Sequence, residues 1–422
     1  MDKLLVYADF DWLKETELVG ELGYESLRGS DSYGFKYDDN WLKKYGNLFL
    51  SFDLNNYPGL QYTAPERDIF GCFSDALPDR WGRTLLNRRE QVLSNEEKRP
   101  VRRLTSFDYL KGIDDASRIG GFRFKTKADG DFINSVNTLR IPPLTNIRQL
   151  LNASSEIEKS EEANQLPDKK WLMQLVQPGS SLGGARPKAS VIENNNTLYM
   201  AKFPSLKDDY DVGLWEHFCH LLATRAGISA AATKVLSTND KYHTLLSRRF
   251  DRTAEGKRIH FASAMTLLGL SDGDKASTGN GYLDIVDFIL QNCTDVNRNL
   301  QELFRRVAFN ICIANSDDHF RNHGFLLTQK GWTLSPAYDI NPSLNQYQSL
   351  LISDSSSKAD LNILLDACEK YMLTKDVAKQ IISEVTKVIN EWTSLATKLG
   401  IAKREMELFG TIFEERIKNF SD

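Results

Sequence analysis

Residues 315–325 read NSDDHFRNHGF, a polar run that directly follows the apolar helical segment 307–314. A predicted strand at 332–334 comes next, and it leads into SPAYD at 335–339. Within this stretch Asn322 lies five residues after Asp317, and Asp339 lies seventeen residues after Asn322. The order of helix, polar loop, strand and carboxylate indicates where the chemistry of this protein takes place.

The residue types in this stretch suit phosphoryl transfer, which requires positioned metal ions and an oriented nucleophile more than covalent help from the protein. Mg²⁺ prefers oxygen ligands, and a carboxylate that binds no metal can accept a hydroxyl proton. Protein kinases place a catalytic Asp, an Asn five residues later and a metal-binding Asp in this order. The spacing therefore predicts Asp317 as base or aligner, with Asn322 and Asp339 as Mg²⁺ ligands.

The upstream half of the chain fits the same template. Residues 178–188 read PGSSLGGARPK, and a predicted hairpin of strands 189–193 and 197–203 carries Lys202. A predicted helix over 211–226 carries Glu216. Kinases bind the ATP phosphates with a strand lysine and pair it with a helix glutamate. Each piece alone is a weak signal, but the ordered set predicts a kinase; the role of Glu216 itself stays open.

Three motifs resemble the signatures of the HipA toxin kinases. They are SLGGARPK at 181–188, the run at 315–325 and LSPAYDINP at 334–342. Residues 35–42 and the LPDR run at 77–80 are similar to the small N-terminal subdomain of that family. The resemblance covers nearly the whole chain.

This resemblance implies an α+β, two-lobed kinase fold related to protein kinases and phosphoinositide kinases. The expected parts are an extra N-terminal subdomain over 1–125, a β-rich N-lobe over 126–255 and an all-helical C-lobe over 256–422.

The resemblance also implies an activity: ATP- and Mg²⁺-dependent phosphorylation of serine or threonine on a bacterial protein, aminoacyl-tRNA synthetases being the known type of target. Members are persistence toxins restrained by a HipB-type helix-turn-helix antitoxin, through which DNA would be contacted indirectly. Members also autophosphorylate a serine of the glycine-rich loop, which inactivates them. Ser181 matches that serine, and the neighbouring Ser180 is a second acceptor.

Position by position, the resemblance assigns catalysis to Asp317, Asn322 and Lys202 and the metal to Asn322 and Asp339. Arg248 departs from the family pattern, because the best-known member is acidic there. The residues implied in ATP binding are Ser181, Gly183, Gly184, Ala185, Lys188, Lys202, Arg248, Phe250 and His319.

Composition narrows the class of protein. The 422 residues carry 53 Lys and Arg against 57 Asp and Glu, a net charge of −4, which does not favour a dedicated DNA-binding protein. The five cysteines are widely spaced without a CxxC pair, which argues for a reducing compartment. The sequence contains no run of 18 apolar residues, so no transmembrane helix is predicted. A cytoplasmic protein with no membrane partner is expected.

Two alternatives remain open from the sequence. One is a kinase-fold corepressor or binding partner of an antitoxin, and the other is a small-molecule kinase. His217 and His220 are three residues apart on a predicted helix, but no third metal ligand follows nearby. The sequence also predicts strands at 4–10, 32–37 and 47–52 and one apolar helix face over 381–399.

Overall fold

The computed structural model describes residues 2–27, 30–135, 141–176, 184–238, 241–418 and 420. It divides into two compact units, one of residues 1–207 and 246–262, the other of residues 208–245 and 263–422. Both contain helices and strands, so the predicted mixture of the two is confirmed.

The first unit opens with a five-stranded antiparallel sheet in the order β4-β3-β2-β1-β5. Alternating side chains make one face of this sheet the core, as where Leu4, Leu22 and Phe35 lie in register and are fully buried. The strands are β1 (Asp2–Ala8), β2 (Glu17–Leu27), β3 (Ser30–Tyr37), β4 (Leu60–Tyr62) and β5 (Phe122–Lys125).

Six α-helices of the described residues belong to the same unit. The longest, α3, begins after Pro78 at the cap residue Asp79, whose carboxylate accepts from the Gly82 amide at 2.8 Å. The helices are α1 (Asp39–Tyr45), α2 (Gly71–Ser74), α3 (Arg80–Glu96), α4 (Ser106–Gly112), α5 (Ile147–Glu162) and α6 (Lys169–Leu175), and a short 3-10 turn spans Leu144–Asn146.

The predicted hairpin is present as β6 (Lys188–Ile192) and β7 (Leu198–Lys202). Its turn uses Asn196 at φ +64°, a conformation that asparagine tolerates. The chain returns to this unit within β9 (His243–Arg248), and the Arg249 amide then donates to the Leu198 carbonyl at 2.9 Å. β10 (His260–Ser263) follows.

The second unit is mainly helical. The predicted helix over 211–226 is confirmed as α7, and α10 is buried along most of its length. The α-helices are α7 (Val212–Arg225), α8 (Ala264–Leu267), α9 (Tyr282–Asn292), α10 (Val296–Cys312), α11 (Leu361–Asp366), α12 (Lys375–Asn390), α13 (Trp392–Leu399) and α14 (Lys403–Lys418). The 3-10 turns are Ala276–Thr278, Phe320–Asn322 and Cys368–Tyr371, and β8 (Thr233–Ser237) is a short strand. Among the helices of the described ranges, none has the length and apolar character needed to span a bilayer.

Three sequence predictions need correction. Residues 256–422 are not all helical, because β11 (Gly324–Thr328) and β12 (Gly331–Leu334) form an antiparallel hairpin. Residues 47–52 form no strand although Leu48 and Leu50 are buried, since the Leu48 carbonyl accepts from the Asn56 side chain rather than from a neighbouring strand. The stripe over 381–399 is divided between α12 and α13, which separate at Glu391.

Candidate active site

The polar run at 315–325 leaves the end of α10 through a sharp change of direction. Ala314 adopts φ +53°, and the Asn315 amide donates back to the Asn310 carbonyl at 2.9 Å. A non-glycine residue in this region is strained, and such strain is concentrated at functional sites. Since the helix beneath is buried, the loop starts from a rigid base.

Asp318 anchors this loop from inside the second unit. Its Oδ2 atom accepts from the Tyr282 hydroxyl at 2.7 Å, the Asn310 amide at 2.8 Å and the His323 Nε2 at 2.8 Å. Burial alone would raise the pKa of Asp318, but His323 and the hydrogen bonds outweigh burial and lower it. An ionised carboxylate only accepts, so the His323 Nε2 carries the proton in this contact.

Asp317, the next residue back, is exposed. Partial loss of water around its carboxyl group raises its pKa, and the negative charges of Asp339 and Asp318 raise the pKa further, while His319 opposes them. An exposed carboxylate with a raised pKa is a better proton acceptor near neutral pH than an ordinary aspartate.

Asn322 closes the loop. Its side-chain amide donates to the Asp317 carbonyl at 3.2 Å, and its backbone amide donates to the His319 carbonyl at 2.8 Å. His319 lies half-buried between the two residues that this turn brings together. The amide nitrogen is engaged with the loop, so the Asn322 side-chain oxygen is the atom that can serve as a ligand.

Asp339 follows β12 and adopts φ +56°, a second strained residue of the site. Asn341 holds it, because the Asn341 amide donates to Asp339 Oδ1 at 3.3 Å and to Glu216 Oε2 at 3.4 Å. Glu216 lies on α7 and is 2% exposed. The glutamate whose role the sequence leaves open is therefore connected to the predicted metal-binding aspartate through one amide.

These oxygen donors fit Mg²⁺, which takes one or two protein carboxylates and completes its coordination with phosphate oxygens and water. Within the described ranges, no cluster of three or more His, Cys, Asp and Glu could hold a metal ion, so a site built for zinc is not found there. His217 and His220 belong to no such cluster among the described residues. The His217 ring bonds the Thr233 hydroxyl at 2.8 Å, and the His220 ring bonds the Ala231 carbonyl at 3.0 Å.

The remaining predicted residues belong to the first unit. Lys202 ends β7 and is half-buried, and Arg248 is exposed at the end of β9. Phe250 packs against Phe261 with ring centroids 5.8 Å apart. Lys188, by contrast, is buried in an ion pair with Asp79. Gly184 and Ala185 are exposed, whereas Ser180, Ser181 and Gly183 lie outside the described residues.

Sequence reasoning missed Asn341, Asp79 and the anchoring role of Asp318. The DINP run at 339–342 contained a signal for Asn341, because a side-chain amide two residues after an acidic ligand can orient it. No local pattern distinguishes Asp318 from Asp317. The loop thus carries one exposed carboxylate and oxygen atoms able to bind a metal, and buried residues hold it in place. This arrangement is typical of enzymes that transfer phosphoryl groups.

Comparison with protein-family models agrees with this class. Residues 12–107 match the HipA N-terminal domain, and residues 180–392, half of the chain, match the HipA-like C-terminal domain. The chain therefore belongs to the HipA family.

Relatives and solved structures are consistent with that assignment. The chain is 23% identical over 357 residues to the serine/threonine-protein kinase toxin HipA of Shewanella oneidensis, covering 78% of this chain and 74% of that protein. It is 25% identical over 198 residues to a Haemophilus influenzae protein named as a kinase, covering 42% and 57% respectively. The chain is accordingly an enzyme of the protein serine/threonine kinase type.

The fold is similar to a chain of the Shewanella oneidensis MR-1 complex of HipA, HipB and its operator DNA. The TM-score is 0.68 at 16% identity, and the match covers 99% of this chain and 96% of that chain. At this identity the likeness concerns the fold.

Proposed function

We propose that the protein is an ATP- and Mg²⁺-dependent toxin kinase that phosphorylates serine or threonine on a bacterial protein. The observation that carries the proposal is the exposed Asp317, whose pKa is raised and whose loop is held by the buried Asp318. The fold proposed for this activity is the two-lobed kinase fold with an extra N-terminal subdomain.

Asp317 acts on the acceptor. Its carboxylate aligns the serine or threonine hydroxyl, or accepts its proton, as the hydroxyl oxygen attacks the γ-phosphorus of ATP. The bond between the γ-phosphorus and the bridging oxygen breaks, and ADP leaves. Because the loop leaves the carboxyl group open to solvent, an acceptor side chain from another protein can approach it. Positioning of this kind supplies a large part of the rate enhancement in phosphoryl transfer.

Asn322 and Asp339 hold the metal in this proposal. Mg²⁺ held there would neutralise negative charge on the phosphates of ATP. Asn341 orients the Asp339 carboxylate, since its amide donates to one of the two carboxylate oxygens. Lys202 binds the α- and β-phosphates, with Gly183, Gly184, Ala185 and His319 as further contacts of ATP. Arg248 and Phe250 contact the adenine.

A HipB-like helix-turn-helix antitoxin is the proposed partner, with DNA contacted through it. Support comes from the Shewanella complex, which contains HipA, HipB and operator DNA. Autophosphorylation at Ser181 or Ser180 is the proposed off-switch. It adds about −1.5 to −2 charge at pH 7, which would repel the ATP phosphates.

The test is the intact mass of the purified protein before and after incubation with Mg²⁺-ATP, beside Asp317→Asn. A gain of one phosphate in the wild type alone, mapped to Ser180 or Ser181, supports the proposal. Phosphate already present at purification in the wild type but not in the variant supports it equally. A wild type that carries no phosphate, gains none and binds no ATP contradicts it, and favours the binding-partner alternative.

A further inference from the structure

We infer that Asp79 and Trp81, at the start of α3, are positioning residues for ATP binding. They hold the segment from Gly184 to Lys188, which leads from the glycine-rich loop into β6. The inference rests on the proposed function, because that function assigns this segment and Lys202 to ATP. It also gives a role to the LPDR run at 77–80, which sequence reasoning could assign only to a subdomain.

The first contact is a buried ion pair. Asp79 Oδ2 lies 2.7 Å from Lys188 Nζ, and both side chains are only 2% exposed. The other carboxylate oxygen caps α3 through the Gly82 amide at 2.8 Å, so the Asp79 side chain is fixed by its own helix. Lys188 Nζ also donates to the Gly184 carbonyl at 3.4 Å. These contacts hold the Lys188 ammonium group between the start of α3 and the Gly184 carbonyl.

The second contact comes from Trp81, which binds the same segment at both ends. Its indole Nε1 donates to the Lys188 carbonyl at 3.1 Å, and its backbone amide donates to the Gly184 carbonyl at 3.4 Å. Gly184 itself adopts φ +91°, and a Cβ added there would lie 3.3 Å from Lys188 Nζ. The path from Gly184 to Lys188 is thus fixed from α3, more than 100 residues away in sequence.

These contacts bear on Lys202 through the hairpin. Lys188 and Lys202 are directly opposite each other in the β6–β7 ladder. Opposite residues of an antiparallel pair project from the same face, and like charges in that arrangement repel. Asp79 supplies the counter-charge to Lys188. Without the Asp79 carboxylate, the positive charges of Lys188 and Lys202 would face each other without this counter-charge. Their repulsion would displace Lys202, the residue assigned to the ATP phosphates.

The experiment compares Asp79→Asn and Trp81→Phe with Glu90→Gln as the matched control. Glu90 lies on the same helix, is 6% exposed and pairs with Arg99 at 2.5 Å, but has no contact with the segment in the described structure. Two measurements are made. Steady-state kinetics gives KM for ATP and kcat separately, and mass spectrometry follows amide hydrogen exchange in the peptide containing residues 184–192. We expect both test variants to raise KM by about 10- to 100-fold, with a smaller change in kcat, and to accelerate exchange in that peptide. Glu90→Gln should lower thermal stability without either effect.

The conservative variant Asp79→Glu should recover part of the lost affinity, which a purely structural defect would not predict. If Asp79→Asn does not fold, Trp81→Phe carries the same test. Unchanged KM and exchange in the test variants, or an equal rise in KM in Glu90→Gln, would overturn the inference. So would tighter ATP binding by Asp79→Asn, because Lys188 would then contact phosphate itself. A wild type that binds no ATP defeats the proposed function, whereas the exchange measurement still decides whether α3 holds the segment.

Discussion

Asp317 and Asp318 are consecutive residues in opposite environments: the Asp318 side chain is 4% exposed and bound by three donors, while Asp317 is open to solvent. The buried carboxylate accepts through its Oδ2 atom from Tyr282, Asn310 and His323. The exposed one remains available to a reactant. Asp318 therefore has a structural role and its neighbour Asp317 a chemical one, and the two roles can be tested separately.

Replacing Asp317 by Asn should remove activity without weakening the fold. An amide cannot accept the acceptor proton, so we expect phosphoryl transfer to fall about 10²- to 10⁴-fold. The side chain is exposed, so the free energy of unfolding should change by no more than about 0.5 kcal/mol. Kinase assays and urea unfolding of the same preparation measure both. An active Asp317→Asn enzyme would remove this residue from the mechanism.

Replacing Asp318 by Asn should give the opposite result. In the variant, an NH₂ group or a neutral oxygen takes the place of the charged oxygen that now accepts from three donors. Losing one partner of a buried charged network costs about 3–5 kcal/mol. The free energy of unfolding should fall by that order. Any loss of activity beyond the folded fraction should be smaller than in Asp317→Asn, because it reflects a looser loop and not a missing proton acceptor. A fully stable Asp318→Asn protein would contradict the anchoring role.

Asn341 offers a test of how the predicted metal ligand is oriented. Asn341→Ala removes the amide between Glu216 and Asp339, so the Asp339 carboxylate loses one of its fixed contacts. We expect the Mg²⁺ concentration at half-maximal rate to rise about tenfold, equivalent to about 1.4 kcal/mol. The control is Asn299→Ala, a buried asparagine that holds the Leu334 amide at 2.8 Å and lies outside the proposed ligand set. An equal change in Mg²⁺ dependence in both variants would indicate general destabilisation.

Local patterns predicted the β6–β7 hairpin, α7 and the strand before Asp339, because each depends on side-chain periodicity and a turn residue within its own segment. The same reasoning failed at residues 47–52, where buried alternating leucines belong to a loop. It also failed at Glu391, where the apolar spacing continues although the helix ends.

The parts of the site that the sequence could not supply are contacts between distant segments. Asp79 and Lys188 are 109 residues apart, and Glu216 and Asn341 are 125 apart. Neither pairing produces a local pattern, since each is created by the packing of whole elements. The order of the motifs predicted the candidate catalytic and metal-binding residues, but it gave no information on which of them are buried.

A pH dependence follows from His260 in the first unit. Burial lowers the pKa of His260 to about 3, and its ring stacks on Phe10 at 4.7 Å. In the unfolded chain a histidine has a pKa of about 6.5. Below that pH the unfolded chain gains a proton that the folded one does not bind, so stability is complete above pH 6.5 and is lost as the pH falls toward 3, by about 1.4 kcal/mol per pH unit at most.

His260→Phe keeps the stacked ring and removes the titration. Urea unfolding at pH 7.5 and 5.5 should show a smaller loss of stability in the variant than in the wild type, with the difference approaching about 1.4 kcal/mol. Other groups titrate in both proteins, so the comparison between them isolates His260. Identical losses in the two proteins would show that His260 is protonated in the fold.

The last prediction concerns a buried network around Asp251 in the first unit, which ties the segment after β9 to residues 117–120. The Asp251 carboxylate accepts from Arg249 Nε at 2.6 Å, Arg252 Nη1 at 2.6 Å and the Gly120 amide at 2.9 Å. Burial alone would raise the pKa of Asp251, but the two guanidinium groups outweigh burial and lower it.

Asp251→Asn would leave Arg249 and Arg252 without this counter-charge inside the protein. We expect a loss of about 3–5 kcal/mol in the free energy of unfolding. The control is Glu96→Gln, which breaks the exposed Glu96–Lys169 pair at 2.6 Å and should cost less than about 1 kcal/mol. Equal losses in the two variants would mean that water reaches the arginines once Asp251 is neutral. In the expected case, this network fixes the backbone that carries Arg248 and Phe250, the residues proposed to contact adenine.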